Sequence, residues 1–187
     1  MDLVSIANSR HLWEPTIVRP SHWSGNTPFV RWLVSQIKPE TFVELGTEHG
    51  HSYFNIVESI LSFRQDAKCF AIDTWEGDEF TGKYDESVYH DVNMLNESLF
   101  KNQSTLLRTT FDAALLDFED ESIDLLHIDG SHRYEDVLRD FSGWKFKVRK
   151  NGFIIFHDIH AQDSNFGVYK FWCEIKKEFP SFELYSS

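Results

Sequence analysis

Four carboxylates at the ends of apolar runs carry most of the chemistry open to this sequence. Phe42-Val43-Glu44 runs into Leu45-Gly46-Thr47-Glu48-His49-Gly50, and Cys69-Phe70-Ala71-Ile72 runs into Asp73-Thr74. Ile123 to Ile128 leads to Asp129-Gly130-Ser131-His132, and Gly152 to Phe156 leads to His157-Asp158. A carboxylate closing the second strand of a parallel sheet can accept from both hydroxyls of a ribose. A loop with two glycines lets a ligand come close to the backbone. Glu44 is placed to organise that loop or to meet a ligand's ammonium group. An imidazole at His132 or His157 has the near-neutral pKa needed to take a proton from a hydroxyl. Asp129 and Asp158 could hold Mg²⁺, which prefers oxygen ligands and acidifies a coordinated hydroxyl. Trp75 either covers a bound ligand or packs in the core, and Asp140 is placed to support the site.

These acids need a scaffold that brings strand ends together. Carboxylates are costly within a sheet, so their recurrence at strand ends fits a parallel α/β sheet lined with polar groups at its carboxyl edge. The pattern predicts strands at 41–45, 69–73, 105–108, 123–129 and 152–158. Helices are expected near 28–37, 50–62, within 74–103, at 133–148 and at 165–178. Strands and helices alternate throughout, which predicts a Rossmann-like parallel sheet with helices on both faces. Residues 1–40 read as an N-terminal helical cap, and 41–187 as the main domain. Ser181 to Ser187 could begin a sixth strand. No closing hairpin follows, so either the fold is shortened or the chain is part of something longer.

The composition limits the partners. Lys and Arg number 18 against 30 Asp and Glu, a formal charge of −12. Such a chain repels a phosphate backbone, and no Lys/Arg stripe offsets this, so nucleic acid is disfavoured. No apolar run approaches ~18 residues, and Met1-Asp2-Leu3-Val4 does not open a signal peptide. A cytoplasmic chain without membrane insertion is expected. Cys69 and Cys173 lack metal-ligand spacing and read as structural thiols. A homodimer and a fusion to further domains are both compatible with the sequence.

The acid-x-Gly-x-x-x-Gly loop is not the G-x-G-x-x-G of dinucleotide enzymes, which argues against a nucleotide-dependent oxidoreductase. It resembles the first motif of class I S-adenosylmethionine-dependent methyltransferases. The ordered set VELGTEHGHSY (43–53), AIDTWEGDEF (71–80), IDLLHIDGSHRYEDV (123–137), GFIIFHDI (152–159) and FGVYKFW (166–172) is similar to the small bacterial methyltransferase-domain type often associated with glycosyltransferases. The resemblance implies S-adenosylmethionine as cofactor, with contacts from Glu44, Gly46, Thr47, Gly50, Ser52, Thr74 and Asp129. It implies Asp73 on the ribose and Phe111 beside the adenine. It also implies a hydroxyl acceptor, a sugar, glycan or other small polar molecule, with Asp129 as a metal ligand and His132 as general base. His157-Asp158-Ile159 departs from the metal-dependent members, in which this strand ends in two oxygen ligands. Three rival expectations are a metal hydrolase, metal-independent transfer, and a non-catalytic interaction domain in a larger glycan-assembly protein.

Overall fold

Pro28 lies in the first turn of α1 (Thr27–Ile37), where the missing N–H is not needed, and Lys38 closes the helix in a left-handed conformation. The structure, a computed structural model, describes residues 15–19, 21–162 and 166–184. After α1 come β1 (Thr41–Leu45), α2 (His51–Phe63), β2 (Lys68–Asp73), a small hairpin of β3 (Gly77–Asp78) and β4 (Gly82–Lys83), and α3 (Glu86–Leu99). The chain continues with β5 (Ser104–Arg108), a single helical turn α4 (Phe111–Ala114), β6 (Ile123–Ile128), α5 (Tyr134–Trp144), β7 (Val148–Phe156) and α6 (Val168–Ile175).

The main sheet has the order β5-β2-β1-β6-β7, and every pairing in it is parallel. Parallel strands need crossover helices, and these cover both faces. Alternation along β1 shows how the faces divide. Phe42 joins a core with Val34, Phe54, Ile60 and Trp75, under α1 to α3. Val43 and Leu45 join a second core with Ile128, Val137, Phe141, Trp144 and Phe171, under α4 to α6. Both sides of β1 are therefore dry, which explains why Phe42, Val43 and Leu45 are all apolar.

The expected elements are present with shifted ends. The helix after β6 stops at Trp144 instead of 148 because Val148 already belongs to β7. That strand begins earlier than expected and passes through Asn151, at φ 64, with a register shift against β6. The last helix is Val168–Ile175, shorter than 165–178. The segment 74–103 holds the β3–β4 hairpin as well as a helix. Ser181 to Leu184 form no strand, so the possible sixth strand is absent over these described residues; 185–187 lie outside them. Cys69 and Cys173 are free thiols, as expected, and burial pushes the Cys69 thiol up to about 12.

Candidate active site

The connections from β1 and β6 leave in opposite directions, so a crevice opens between their carboxyl ends. The turn that forms it is tight. Asp129 N–H donates to the Leu45 carbonyl at 2.8 Å, and Gly46 N–H donates to the Ile72 carbonyl at 3.0 Å. Gly46 has φ +86, and a Cβ there would lie 2.1 Å from the Asp129 carbonyl oxygen. Any side chain would force β1 and β6 apart at the crevice. Beyond it, Gly50 caps α2 in a left-handed conformation, and Ser52 is buried in the first turn.

Asp73 holds this loop. Its Oδ2 accepts the backbone N–H groups of Thr47 at 2.8 Å and Glu48 at 2.9 Å, and its Oδ1 accepts that of Trp75 at 2.7 Å. A carboxylate has about four lone-pair sites, so one remains for a ligand. This clamp was not legible in the sequence, which pointed only to a ribose contact. Trp75 proves to be a core residue. It is 1% exposed, packs on Tyr89, and donates its indole N–H to the Glu48 carbonyl at 2.9 Å.

A cavity of about 620 Å³ runs along the carboxyl edge. Gly46, Thr47, Ser52, Asp73, Thr74, Phe111, Asp129, His132, His157 and Asp158 all line it. Gly50 does not line it. Nor does Glu44, which is fully buried on the α1–α2 side with its Oε2 2.7 Å from Nδ1 of an equally buried His127. Glu44 therefore acts on the loop from beneath and has no direct contact with the space. Burial raises its pKa, outweighing the opposing hydrogen bond and charge of His127.

At the β6–β7 end two carboxylates and two imidazoles interlock. His132 Nε2 lies 2.9 Å from Asp158 Oδ2. His157 Nδ1 lies 3.3 Å from both Asp129 Oδ1 and Asp158 Oδ1. Burial alone would disfavour a charged His157, but its hydrogen bonding to both carboxylates raises it to about 10, so it is a cation at neutral pH. His132 is likewise opposed by burial, yet Asp158 holds its pKa above the usual imidazole value. Burial would raise Asp129 and Asp158, but His157 pulls Asp129 below its usual range, and His132 with His157 does the same to Asp158. His132 Nδ1 has no hydrogen-bond partner among the described residues.

The donor set fits a divalent cation. Asp129, His132 and Asp158 each offer a ligand atom, and the three atoms lie within 4.8 Å of one another.

The sequence also missed the lid. The β3–β4 hairpin carries Phe80, whose ring meets His132 edge-on at 5.4 Å, while Phe166 lies 4.4 Å from His132 on another side. Arg133 forms a two-pronged pair with Glu79 and fastens the hairpin beside the site. Gly77 and Gly82, both at φ +79, were the available signal for this turn. The N-terminal segment contributes too: Ser21 and Trp23 line the cavity, and Arg19 N–H donates to His51 Nδ1 at 3.1 Å.

Comparison with known proteins gives a consistent result. A family described as a methyltransferase domain matches residues 43–159. An uncharacterized protein of Sinorhizobium fredii is 41% identical over 182 residues, which is 97% of this chain but 20% of that protein's length. Among solved structures, the O-methyltransferase TomG of Streptomyces achromogenes, involved in tomaymycin synthesis and in complex with SAM, superposes with a TM-score of 0.62 at 13% identity. That match covers 95% of this chain and 78% of TomG. A methyltransferase of Geobacter sulfurreducens gives 0.52 at 16% identity, covering 83% and 69%. No helix among the described residues is long and apolar enough to cross a membrane.

Proposed function

The chain belongs to the methyltransferase domain family, and from that premise we propose that it moves a methyl group from S-adenosylmethionine to a hydroxyl of a sugar, glycan or other small polar acceptor. One observation carries this reading. The glycine loop and Asp73, suited to a nucleoside, open into the same cavity as Asp129, His132 and Asp158. The TomG complex with SAM, similar in fold, supports the choice of cofactor.

S-adenosylmethionine would supply an electrophilic methyl group. The residues of the cavity supply position and proton transfer. The Gly46 turn and the Asp73 clamp fix the backbone on which the nucleoside rests, so the ligand meets a preformed edge. Asp158 accepts a hydrogen bond from Nε2–H of neutral His132 and thereby orients the ring, leaving Nδ1 to take the acceptor's hydroxyl proton. His157, already protonated, holds the two carboxylates together and is poorly suited to be the base. Asp78, Asp129 and Asp158 favour an acceptor rich in hydroxyl donors, and their charge opposes a phosphate backbone. Mg²⁺, held by Asp129 and Asp158, would acidify the acceptor hydroxyl. The far longer Sinorhizobium relative supports a unit that works beside other domains.

The test is calorimetric titration with S-adenosylmethionine, then a screen of sugar acceptors with Mg²⁺ or with a chelator, scored by release of S-adenosylhomocysteine. Binding followed by turnover is expected. A folded protein that binds no S-adenosylmethionine would sink this reading and favour a non-catalytic domain.

A further inference from the structure

β7 is the outer strand of the sheet, and among the described residues no strand pairs with its far side. A groove of about 1160 Å³ runs along that side, lined by β7 from Val148 to Phe156 and reaching Asp158. Its walls are apolar: α1 gives Phe29, Val30 and Leu33, and α6 gives Trp172 and Ile175. The segment after α6 spans the two walls. Phe182 meets Phe29 edge-on at 5.2 Å, while Glu183 accepts from the Trp172 indole N–H and the Lys176 ammonium, each at 2.7 Å. Phe153 stays 40% exposed and Phe182 58%. Apolar side chains gathered along one groove mark a place where apolar matter is covered.

The groove is continuous with the active-site cavity, because Trp23, His157 and Asp158 line both. Asp158 is also the carboxylate that orients His132. A molecule with its hydroxyl at His132 can therefore carry a tail past Asp158 and along β7. The eight residue steps from Phe156 back to Val148, at about 3.3 Å each, allow a tail of up to roughly 26 Å. The two spaces differ in chemistry. Acids crowd the cavity, whereas the groove has Glu121 as its one acid besides Asp158 among the described residues. Another strand is a poor occupant. Arg149 and Lys150 are exposed on this edge, and the register shift beside Asn151 at φ 64 bends it, both of which blunt an edge against pairing.

We infer that the groove holds the apolar tail of the acceptor, so that the substrate is amphipathic: a sugar or similar hydroxylated head at His132, and a long aliphatic chain along β7. This rests on the methyltransferase reading and names the class of acceptor within it.

The experiment titrates the full chain with methyl, hexyl, octyl and decyl β-glucosides by calorimetry, each below its micelle-forming concentration. Affinity is expected to climb about threefold for each methylene buried, hence about tenfold from hexyl to octyl. Phe153→Ser and Phe182→Ser, at partly exposed groove positions, are each expected to weaken decyl glucoside at least about threefold. Phe63→Ser, exposed at the end of α2 and outside the groove, should leave the series unchanged. His132 lines the cavity but not the groove, so His132→Ala should weaken octyl glucoside at least about threefold through loss of a contact to the head. Affinity indifferent to chain length in the wild type overturns the inference, whatever the variants do. So does an unchanged series in both folded Phe variants, or unchanged octyl glucoside affinity in folded His132→Ala. A dimer in sedimentation that Phe153→Ser dissociates would assign the groove to a second copy and also overturn it. Binding of S-adenosylhomocysteine is scored separately: its absence sinks the methyl-transfer reading, whereas a flat series in protein that binds it sinks this inference alone.

Discussion

Thr47 and Asp73 are joined across 26 residues by a backbone N–H···Oδ2 hydrogen bond of 2.8 Å. With the bonds from Glu48 and Trp75, it makes one carboxylate the fastening of the glycine loop to the end of β2. Asp73→Ala removes all three acceptor contacts. It is expected to lower S-adenosylhomocysteine affinity at least about tenfold and stability by about 1–3 kcal/mol. Asp73→Asn, which keeps one carbonyl oxygen, should fall between. Calorimetry and urea unfolding read the two effects. Weakened binding with an unchanged urea midpoint would show that Asp73 serves only the ligand and that the loop holds itself.

Beneath the same loop, Glu44 and His127 occupy paired positions on β1 and β6 and are both fully buried. Removing one partner leaves the other buried and unmatched, which costs about 3–5 kcal/mol, whereas replacing both with apolar groups costs far less. Glu44→Leu and His127→Leu are each expected to destabilise strongly, and the double variant is expected to be more stable than either single one. Urea midpoints of the four proteins complete the cycle. Simple additivity would mean that the two side chains do not act as a pair.

His132 should set the pH dependence of turnover. Its pKa is raised, since Asp158 outweighs burial, so the ring is protonated and inactive as a base below a value above 6.5. Turnover should therefore rise with pH through a midpoint above 6.5, and Asp158→Asn should move that midpoint down. His132→Ala is expected to slow turnover about 10²–10⁴-fold while S-adenosylhomocysteine binding stays within about threefold. Turnover within about twofold of wild type would remove His132 from proton transfer.

The fold was legible because β1, β2 and β6 are short apolar runs closed by acids, and their order along the chain predicts crossover helices. Strand ends also located Asp73, Asp129, His132, His157 and Asp158, all of which line the cavity. What stayed hidden depends on distance in space. Glu44 looked like a strand-end acid, but β1 runs one residue further to Leu45, and alternation turns Glu44 toward His127, out of the cavity lining. The Asp73 clamp is made with backbone N–H groups, which no side-chain pattern announces. Phe80 reaches His132 only because two glycines 5 residues apart fold a short hairpin back across the site.

Asp140 also makes stability depend on pH in a direction opposite to that of a paired acid. Burial raises its pKa from 3.8 to about 7, with Arg139 opposing and Asp136 and Asp112 reinforcing the shift. Between about pH 4 and 7 the folded protein holds a proton that the unfolded chain has already released, so this contribution falls as pH rises and is gone above pH 7. Asp140→Asn keeps the volume and removes the titration. The difference in urea midpoint between variant and wild type is therefore expected to grow in favour of the variant from pH 4 to 8. A difference that is flat with pH in the free protein would mean that Asp140 is ionised throughout and already matched.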